Sequence, residues 1–153
     1  MIRIDIPGRG LIELTDAVFD VNGTIAVDGT LIAGVAERLQ VLREHLAIHI
    51  LTAGTHGNIS ELERALGIPL RIISTGEDKA RFVQQLGPEH VIAFGNGAND
   101  AAMLRLAAIS IAVMAAEGLS LLALHAADIL AHGPLDAIDL ALHSKRLIAT
   151  LRT

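Results

Sequence analysis

The sequence predicts an α/β fold in which a mostly parallel sheet is covered by helices on both faces and follows a short N-terminal β-hairpin. Short apolar runs alternate with helix-like segments along the chain. The runs are continuously apolar, which is typical of strands buried on both faces of a sheet. A helix between successive strands is the connection that parallel pairing requires. Because 153 residues is the usual length of one domain, we expect a single domain over residues 1–153.

Each element has its own signal. The hairpin is predicted from alternating apolar and polar residues in 2–6 and 11–14, with Pro7-Gly8 between them. The strand candidates are the apolar runs 17–19, 47–51, 70–73, 91–94 and 109–113, and a shorter one, 127–130. Apolar residues three and four apart predict the helices; they are Val35, Leu39 and Leu42, then Ile59, Leu62 and Leu66, then Phe82, Val83 and Leu86 before Gly87-Pro88. The alternation of predicted strands and helices along the chain is Rossmann-like. Sheets of this kind bind ligands beyond the carboxyl ends of their strands.

Composition narrows the class of protein. Apolar residues make up 52% of the chain, yet no uncharged stretch reaches the ~18 to 20 residues of a membrane span. Arg3 and Asp5 near the start argue against a secretory signal. The sequence has no cysteine, which excludes a disulfide framework and a thiolate metal site. A net charge of −5, with three aromatic residues that are all Phe, argues against nucleic acid. We therefore expect a cytoplasmic protein without a membrane partner that binds a small molecule or a protein surface.

Polar residues follow the first two buried strands. Asp20 ends the first and precedes the turn Val21-Asn22-Gly23-Thr24, whose backbone N–H groups can face an anion. The alternative is an ordinary turn, since Asp, Asn and Gly are common turn residues. The second strand ends at Thr52-Ala53-Gly54, ahead of a helix predicted to begin near His56, which suits phosphate at a helix N-terminus. Helix capping by Thr55 is the alternative there, and a surface or capping role is favoured for His56 over phosphate contact.

Two further features follow along the chain. Lys79 lies in the first turns of a helix, where a cation is unfavourable unless an anion is near, although Glu77 and Asp78 could supply that charge locally. The fourth strand ends in Gly95-Asn96-Gly97-Ala98-Asn99-Asp100. Its glycines allow backbone to approach a ligand, and its polar side chains cluster where a helix begins.

Four segments resemble, in their order along the chain, the four motifs of the haloacid dehalogenase superfamily of aspartate-based phosphohydrolases. They are Asp20-Val21-Asn22-Gly23-Thr24, Thr52, Lys79 and the segment 95–100. Within that superfamily the chain is most similar to the phosphorylation domain of P-type ATPases and its soluble relatives. The tail, with segments 126–130, 138–142 and 144–146, is similar to the end of that domain.

The resemblance implies a mechanism and a set of site residues. It implies that Asp20 attacks phosphorus and forms an aspartyl phosphate, with Asn22 and Lys79 as the other catalytic positions. It implies that Mg²⁺ is bound by Asp20, the backbone carbonyl of Asn22, and Asn96, with Asp100 supporting metal-bound water and the lysine. The phosphate-binding residues that it implies are Thr52, Ala53, Lys79 and Asn99.

Two departures from the family pattern bear on activity. Asn22 stands where many family phosphatases carry an Asp that moves protons, and loss of such a group costs about 10² to 10⁴ in rate. Asn96 stands where the family usually offers a carboxylate to the metal, and a neutral amide is a poorer ligand for a hard cation. We therefore expect a phosphatase of modest activity. The alternative is a non-catalytic or regulatory member that binds metal or phosphate without turnover.

The spacing of the motifs predicts a capless enzyme. The interval from Thr24 to Thr52 has room for one helix, and the interval from Lys79 to Asn96 is equally short. Neither interval can hold the nucleotide-binding or cap domain found there in relatives. We expect the uncovered site to accept a phosphorylated small molecule or a phosphoprotein, or to be closed by a second copy in a homo-oligomer.

Overall fold

The computed structural model describes residues 1–54 and 58–153, and it confirms the predicted fold class. Within those residues no helix is long and apolar enough to cross a membrane. The strands are β1 (Ile2–Ile6), β2 (Gly10–Leu14), β3 (Asp16–Asp20), β4 (Ala26–Val27), β5 (Thr30–Leu31), β6 (Ala47–Thr52), β7 (Leu70–Ile72), β8 (Val91–Gly95), β9 (Ile109–Met114) and β10 (Ile129–His132). The α-helices are α1 (Val35–Arg43), α2 (Ile59–Leu66), α3 (Gly76–Leu86), α4 (Ala101–Leu106), α5 (Leu121–Ala126), α6 (Pro134–Leu142) and α7 (Ser144–Leu151). Short 3₁₀ turns lie at Pro88–His90 and Ala98–Asp100.

The central sheet contains six strands in the order β10-β9-β8-β3-β6-β7. Every neighbouring pair is parallel. From β3 the chain runs outward through β6 and β7, then returns to the other side of β3 to form β8, β9 and β10. The strand order therefore reverses between β3 and β8, and a crevice at the carboxyl ends of these two strands is the expected ligand site.

Helices cover both faces of the sheet because the side chains of β3 alternate between two apolar clusters. Phe19 packs in the larger cluster, to which α1, α2, α6 and α7 contribute their buried faces. Val18 points into the smaller cluster, where α3, α4 and α5 supply the apolar partners. The rings of Phe19 and Phe94 stack with centroids 4.2 Å apart, which joins β3 to β8 just below the switch point. Burial on both faces explains the continuously apolar strands.

Several boundaries differ from those predicted. Strand β10, the last of the six predicted strands, begins at Ile129, later than the predicted start. Asp128 lies outside this strand, because it accepts a hydrogen bond from Ser110 N at 2.9 Å. Helix α2 begins at Ile59 and is capped by Asn58, so the predicted start near His56 was wrong. Thr55 and His56 themselves lie outside the described residues. The small antiparallel hairpin β4–β5 was not predicted.

Candidate active site

The candidate site lies at the carboxyl ends of β3 and β8. Asp20 is the last residue of β3 and is 7% exposed. The chain turns tightly after it, because the backbone N–H groups of 24, 25 and 26 all donate to the Val21 carbonyl oxygen. Asn96 follows β8 directly, and Asp100 ends the 3₁₀ turn that comes next. Asp100 is fully buried.

A buried ammonium group joins the two carboxylates. Lys79 Nζ donates to Asp20 Oδ1 at 2.5 Å and to Asp100 Oδ1 at 2.7 Å, and the lysine side chain is fully buried. Its neighbours Glu77 and Asp78 instead pair with Arg81 on the exposed side of α3. The acidic neighbours in sequence are therefore not the partners of Lys79. Its partners come from the ends of two strands.

The Asp100 carboxylate is engaged on both oxygens. Besides the Lys79 contact to Oδ1, its Oδ2 accepts hydrogen bonds from Asn96 N at 3.0 Å and Gly97 N at 2.9 Å. A Cβ at Gly95 would come within 2.6 Å of Asp100 Cβ, so the loop closes over this carboxylate only with glycine at 95. These contacts assign Asp100 to holding the lysine and the loop. The contact to Lys79 is the one that the family resemblance implies for Asp100, and its support of a metal-bound water stays a prediction.

The charges at the site are unbalanced by one. Burial, followed by the nearby Asp100 carboxylate, raises the pKa of Asp20 to about 6, although Lys79 opposes the rise. Burial disfavours the charged form of Lys79, but the attraction of Asp20 and Asp100 outweighs it and raises the lysine pKa. Lys79 therefore stays protonated at neutral pH. Two carboxylates face one ammonium, which leaves an attraction for a further cation.

Thr24 and Asn96 complete the polar cluster. Thr24 Oγ1 lies 3.1 Å from Asp20 Oδ2 and 3.2 Å from Asn96 Oδ1. A hydroxyl has one proton to donate, so it can satisfy only one of these two acceptors at a time. Asn96 Nδ2 donates to the Gly118 carbonyl at 3.1 Å, which leaves the amide oxygen facing the Thr24 hydroxyl. The Asn96 side chain also lies against Gly23, where φ is +81° and an added Cβ would lie 2.1 Å from Asn96 Nδ2.

The remaining predicted site residues lie on the same edge of the sheet. Thr52 is the buried last residue of β6, one position beyond Leu51, which pairs with Asp20. Its hydroxyl oxygen accepts a hydrogen bond from Gly54 N at 3.1 Å, and Ala53 between them is half-buried. Asn99 is exposed on the 3₁₀ turn. In the described part of the chain its side chain makes no hydrogen bond to Asp20, Lys79 or Asp100.

Gly118 was not among the predicted site residues. Its carbonyl orients Asn96, and the same loop supplies Ser120 N, which donates to the Asn96 carbonyl at 2.8 Å. The loop follows β9, so it is a further strand end and contains a glycine. Its position after the end of β9 is the signal in the sequence that points to it.

The oxygen atoms at this site are of the kind that a divalent cation accepts as ligands. Asp20 Oδ2 and Asn96 Oδ1 share one hydroxyl proton, and Asn22 Oδ1 is buried without a hydrogen-bond partner in the described residues. Carboxylate and amide oxygens are the ligands that Mg²⁺ accepts. Residues 1–54 and 58–153 contain no cluster of three or more His, Cys, Asp or Glu that could hold a metal. The site therefore offers oxygen ligands but few charges.

Comparisons with known proteins identify the family and the fold of the chain. The sequence profile of the haloacid dehalogenase-like hydrolases matches residues 5–108. An uncharacterised protein of Methanocaldococcus jannaschii is 53% identical over 38 residues, which cover 25% of this chain and 86% of that protein.

Among solved structures, the fold is similar to a 3-deoxy-D-manno-octulosonate 8-phosphate phosphatase from Moraxella catarrhalis crystallised with magnesium ion, phosphate ion and KDO. That enzyme is 18% identical, with a TM-score of 0.66 and coverage of 91% of this chain and 94% of that one. A zinc-transporting PIB-type ATPase in the E2.Pi state is 27% identical, with a TM-score of 0.64; the match covers 78% of this chain but only 20% of the ATPase. Because the family profile spans more than half of the sequence, the chain belongs to the haloacid dehalogenase-like hydrolases.

Proposed function

We propose that this protein is a Mg²⁺-dependent phosphohydrolase that works through an aspartyl phosphate on Asp20, with modest turnover. The observation that carries the proposal is the buried Lys79 ammonium between Asp20 and Asp100 at the switch point of the sheet. A carboxylate that attacks a phosphoryl anion needs a fixed positive charge to relieve the repulsion. Lys79 provides that charge without rearrangement, since two carboxylates already hold it.

In the first step an Asp20 carboxylate oxygen bonds to phosphorus while the bond from phosphorus to the leaving oxygen breaks. The leaving group takes the electron pair and needs a proton unless it is a stable anion. In the second step a water oxygen bonds to phosphorus, and the bond to Asp20 breaks with its electron pair returning to the carboxylate. The water proton passes to solvent or to phosphate. Dividing one difficult step into two is the advantage of covalent catalysis.

Other residues support these steps. Asp20, the Asn22 backbone carbonyl and Asn96 Oδ1 are the groups that would hold Mg²⁺, which when bound neutralises charge on the phosphoryl oxygens. Thr52, Ala53 N–H and Asn99, on the same edge of the sheet as Lys79, are proposed to contact phosphate. Asn22 coordinates through its backbone but cannot accept or donate a catalytic proton, so both steps rely on water.

The substrate class follows from the leaving group and from access to the site. Without an acid at position 22, acyl phosphates should react faster than sugar phosphates, because a carboxylate leaves without protonation. Between Thr24 and Thr52 the described residues form only the β4–β5 hairpin, α1 and the sheet strand β6, so no lid domain lies in that interval. We propose that the open site takes a phosphorylated small molecule or a phosphoprotein, or is closed by a second copy of the chain.

Covalent labelling tests the proposal. The protein is incubated with acetyl phosphate and Mg²⁺ and its intact mass is measured; we expect one added phosphoryl group, released by hydroxylamine as an acyl phosphate should be. Asp20→Asn should abolish the adduct. Asp5→Asn is the matched control, because Asp5 is an exposed carboxylate on β1, and it should label like the wild type. Asn22→Asp should shorten the life of the adduct and raise turnover of poor leaving groups.

A non-catalytic, regulatory role is the second candidate. It is favoured by Asn22 and Asn96, which leave Asp20 and Asp100 as the acidic side chains of the cluster. Absence of an adduct in the wild type, together with no turnover in Asn22→Asp, would support it against the enzyme.

A further inference from the structure

Asn96 is held by hydrogen bonds through both its side chain and its backbone. Its Nδ2 donates to the Gly118 carbonyl at 3.1 Å, and its Oδ1 lies 3.2 Å from the Thr24 hydroxyl. Its backbone carbonyl accepts a hydrogen bond from Ser120 N at 2.8 Å. Asn96 is 9% exposed, so these contacts lie almost entirely inside the protein. The loop after β9 is thus attached to the end of β8 through this one residue.

A carboxylate at position 96 could not make the same contacts. It would place an oxygen acceptor where Nδ2 now donates, opposite a backbone carbonyl oxygen that has no proton to give. The side chain has no room to move toward Gly23, which is so close that a Cβ built there would lie 2.1 Å from Nδ2. A third carboxylate would also join Asp20 and Asp100 around one ammonium. The surroundings of Asn96 therefore suit an amide.

We propose that Asn96 is an amide-specific positioning residue that keeps this site folded without a divalent cation, so that the cation is recruited together with the phosphoryl group of the substrate. The recruitment of the cation with the phosphoryl group rests on the proposed function. Two carboxylates against one ammonium attract a free cation weakly, and a phosphoryl group brings the negative charge that the amide lacks. Binding of cation and of phosphate must then strengthen each other equally.

Thermal unfolding in chelator at neutral pH tests the positioning role. Asn96→Asp should lower the unfolding midpoint by about 4 to 8 °C, through a lost buried hydrogen bond and an unpaired charge. Asn99→Asp is the matched control, since it adds the same charge on the adjoining exposed turn and should change the midpoint little. Asn96→Ala, which removes the amide without adding charge, should lie between Asn96→Asp and the wild type.

Failure of Asn96→Asp to fold while Asn96→Ala folds would carry the same meaning as the lower midpoint. Equal midpoints for Asn96→Asp and Asn99→Asp would overturn the positioning role. This measurement involves neither phosphate nor turnover, so its outcome is independent of the labelling of Asp20.

Calorimetric titration of the wild type with Mg²⁺, with and without inorganic phosphate, tests the recruitment. We expect the apparent Mg²⁺ affinity to rise at least tenfold with phosphate present, within the usual range of coupling between two sites. Asn96→Asp should bind Mg²⁺ more tightly alone and depend less on phosphate, a change that a purely structural role would not produce. Equal Mg²⁺ affinity with and without phosphate in the wild type would overturn the recruitment.

Discussion

Replacing Lys79 by Met should strongly destabilise the protein. The methionine side chain fills a similar space without the charge, so Asp20 and Asp100 would face each other without their shared cation. Removing one partner of a buried ion pair typically costs about 3 to 5 kcal/mol of unfolding free energy. Lys79 is fully buried and donates to carboxylates at 2.5 and 2.7 Å, so solvent screens these ion pairs little.

The expected loss is large compared with the stability of a protein of this size. For a chain of 150 to 250 residues, each 1 kcal/mol shifts the unfolding midpoint by roughly 2 to 4 °C, so we expect a fall of about 6 to 20 °C. Thermal unfolding followed by circular dichroism at neutral pH measures it. Lys145→Met is the matched control, because Lys145 is the only other lysine of the chain and is exposed on α7. That control should leave the midpoint nearly unchanged.

The pH dependence identifies the cause of the loss. Asp20 already has a pKa raised to about 6 while Lys79 is lowering it, so without the lysine this carboxyl should protonate at a still higher pH. The deficit of Lys79→Met should therefore shrink as the pH falls from above neutral to about 6, because protonation of Asp20 in the variant removes the repulsion. Below that pH Asp20 is protonated in both proteins, so the deficit should change little. Adding Asp20→Asn to Lys79→Met should recover much of the loss at neutral pH. A Lys79→Met protein as stable as Lys145→Met at neutral pH would refute the argument.

Three further predictions follow from the same contacts. The raised pKa of Asp20 means that the folded state loses stability as the pH rises from about 4 to 6, so Asp20→Asn should be more stable at neutral pH, by up to about 3 kcal/mol, with no gain below pH 4 in urea unfolding. An amine-reactive reagent should modify Lys145 in the native protein but Lys79 only after unfolding, as peptide mass mapping would show; early modification of Lys79 would contradict its burial. Gly23→Ala should cost about 2 to 4 kcal/mol, since its Cβ would meet Asn96 and φ is positive, and an unchanged urea midpoint would show that the turn relaxes.

The sequence by itself determined the layers of the fold and the edge of the sheet that carries the site. Both rest on local patterns: continuous apolar runs such as 91–94 identify strands buried on two faces, and polar residues such as Asp20 and Asn96 identify where those strands end. Parallel strands in one sheet present their carboxyl ends together, so local information was enough to group these residues.

Only the tertiary structure decided the partners. Lys79 has acidic neighbours in sequence at 77 and 78, yet it bonds to Asp20 and Asp100, because α3 packs against the 3₁₀ turn that carries Asp100 and buries the lysine there. The second oxygen of Asp100 accepts from two backbone N–H groups of the loop after β8, and these contacts also follow from packing. The Gly118 carbonyl that orients Asn96 is a backbone group, and no residue type in the sequence records where a carbonyl points. Hydrogen-bond partners distant along the chain depend on packing geometry, which periodicity and spacing do not encode.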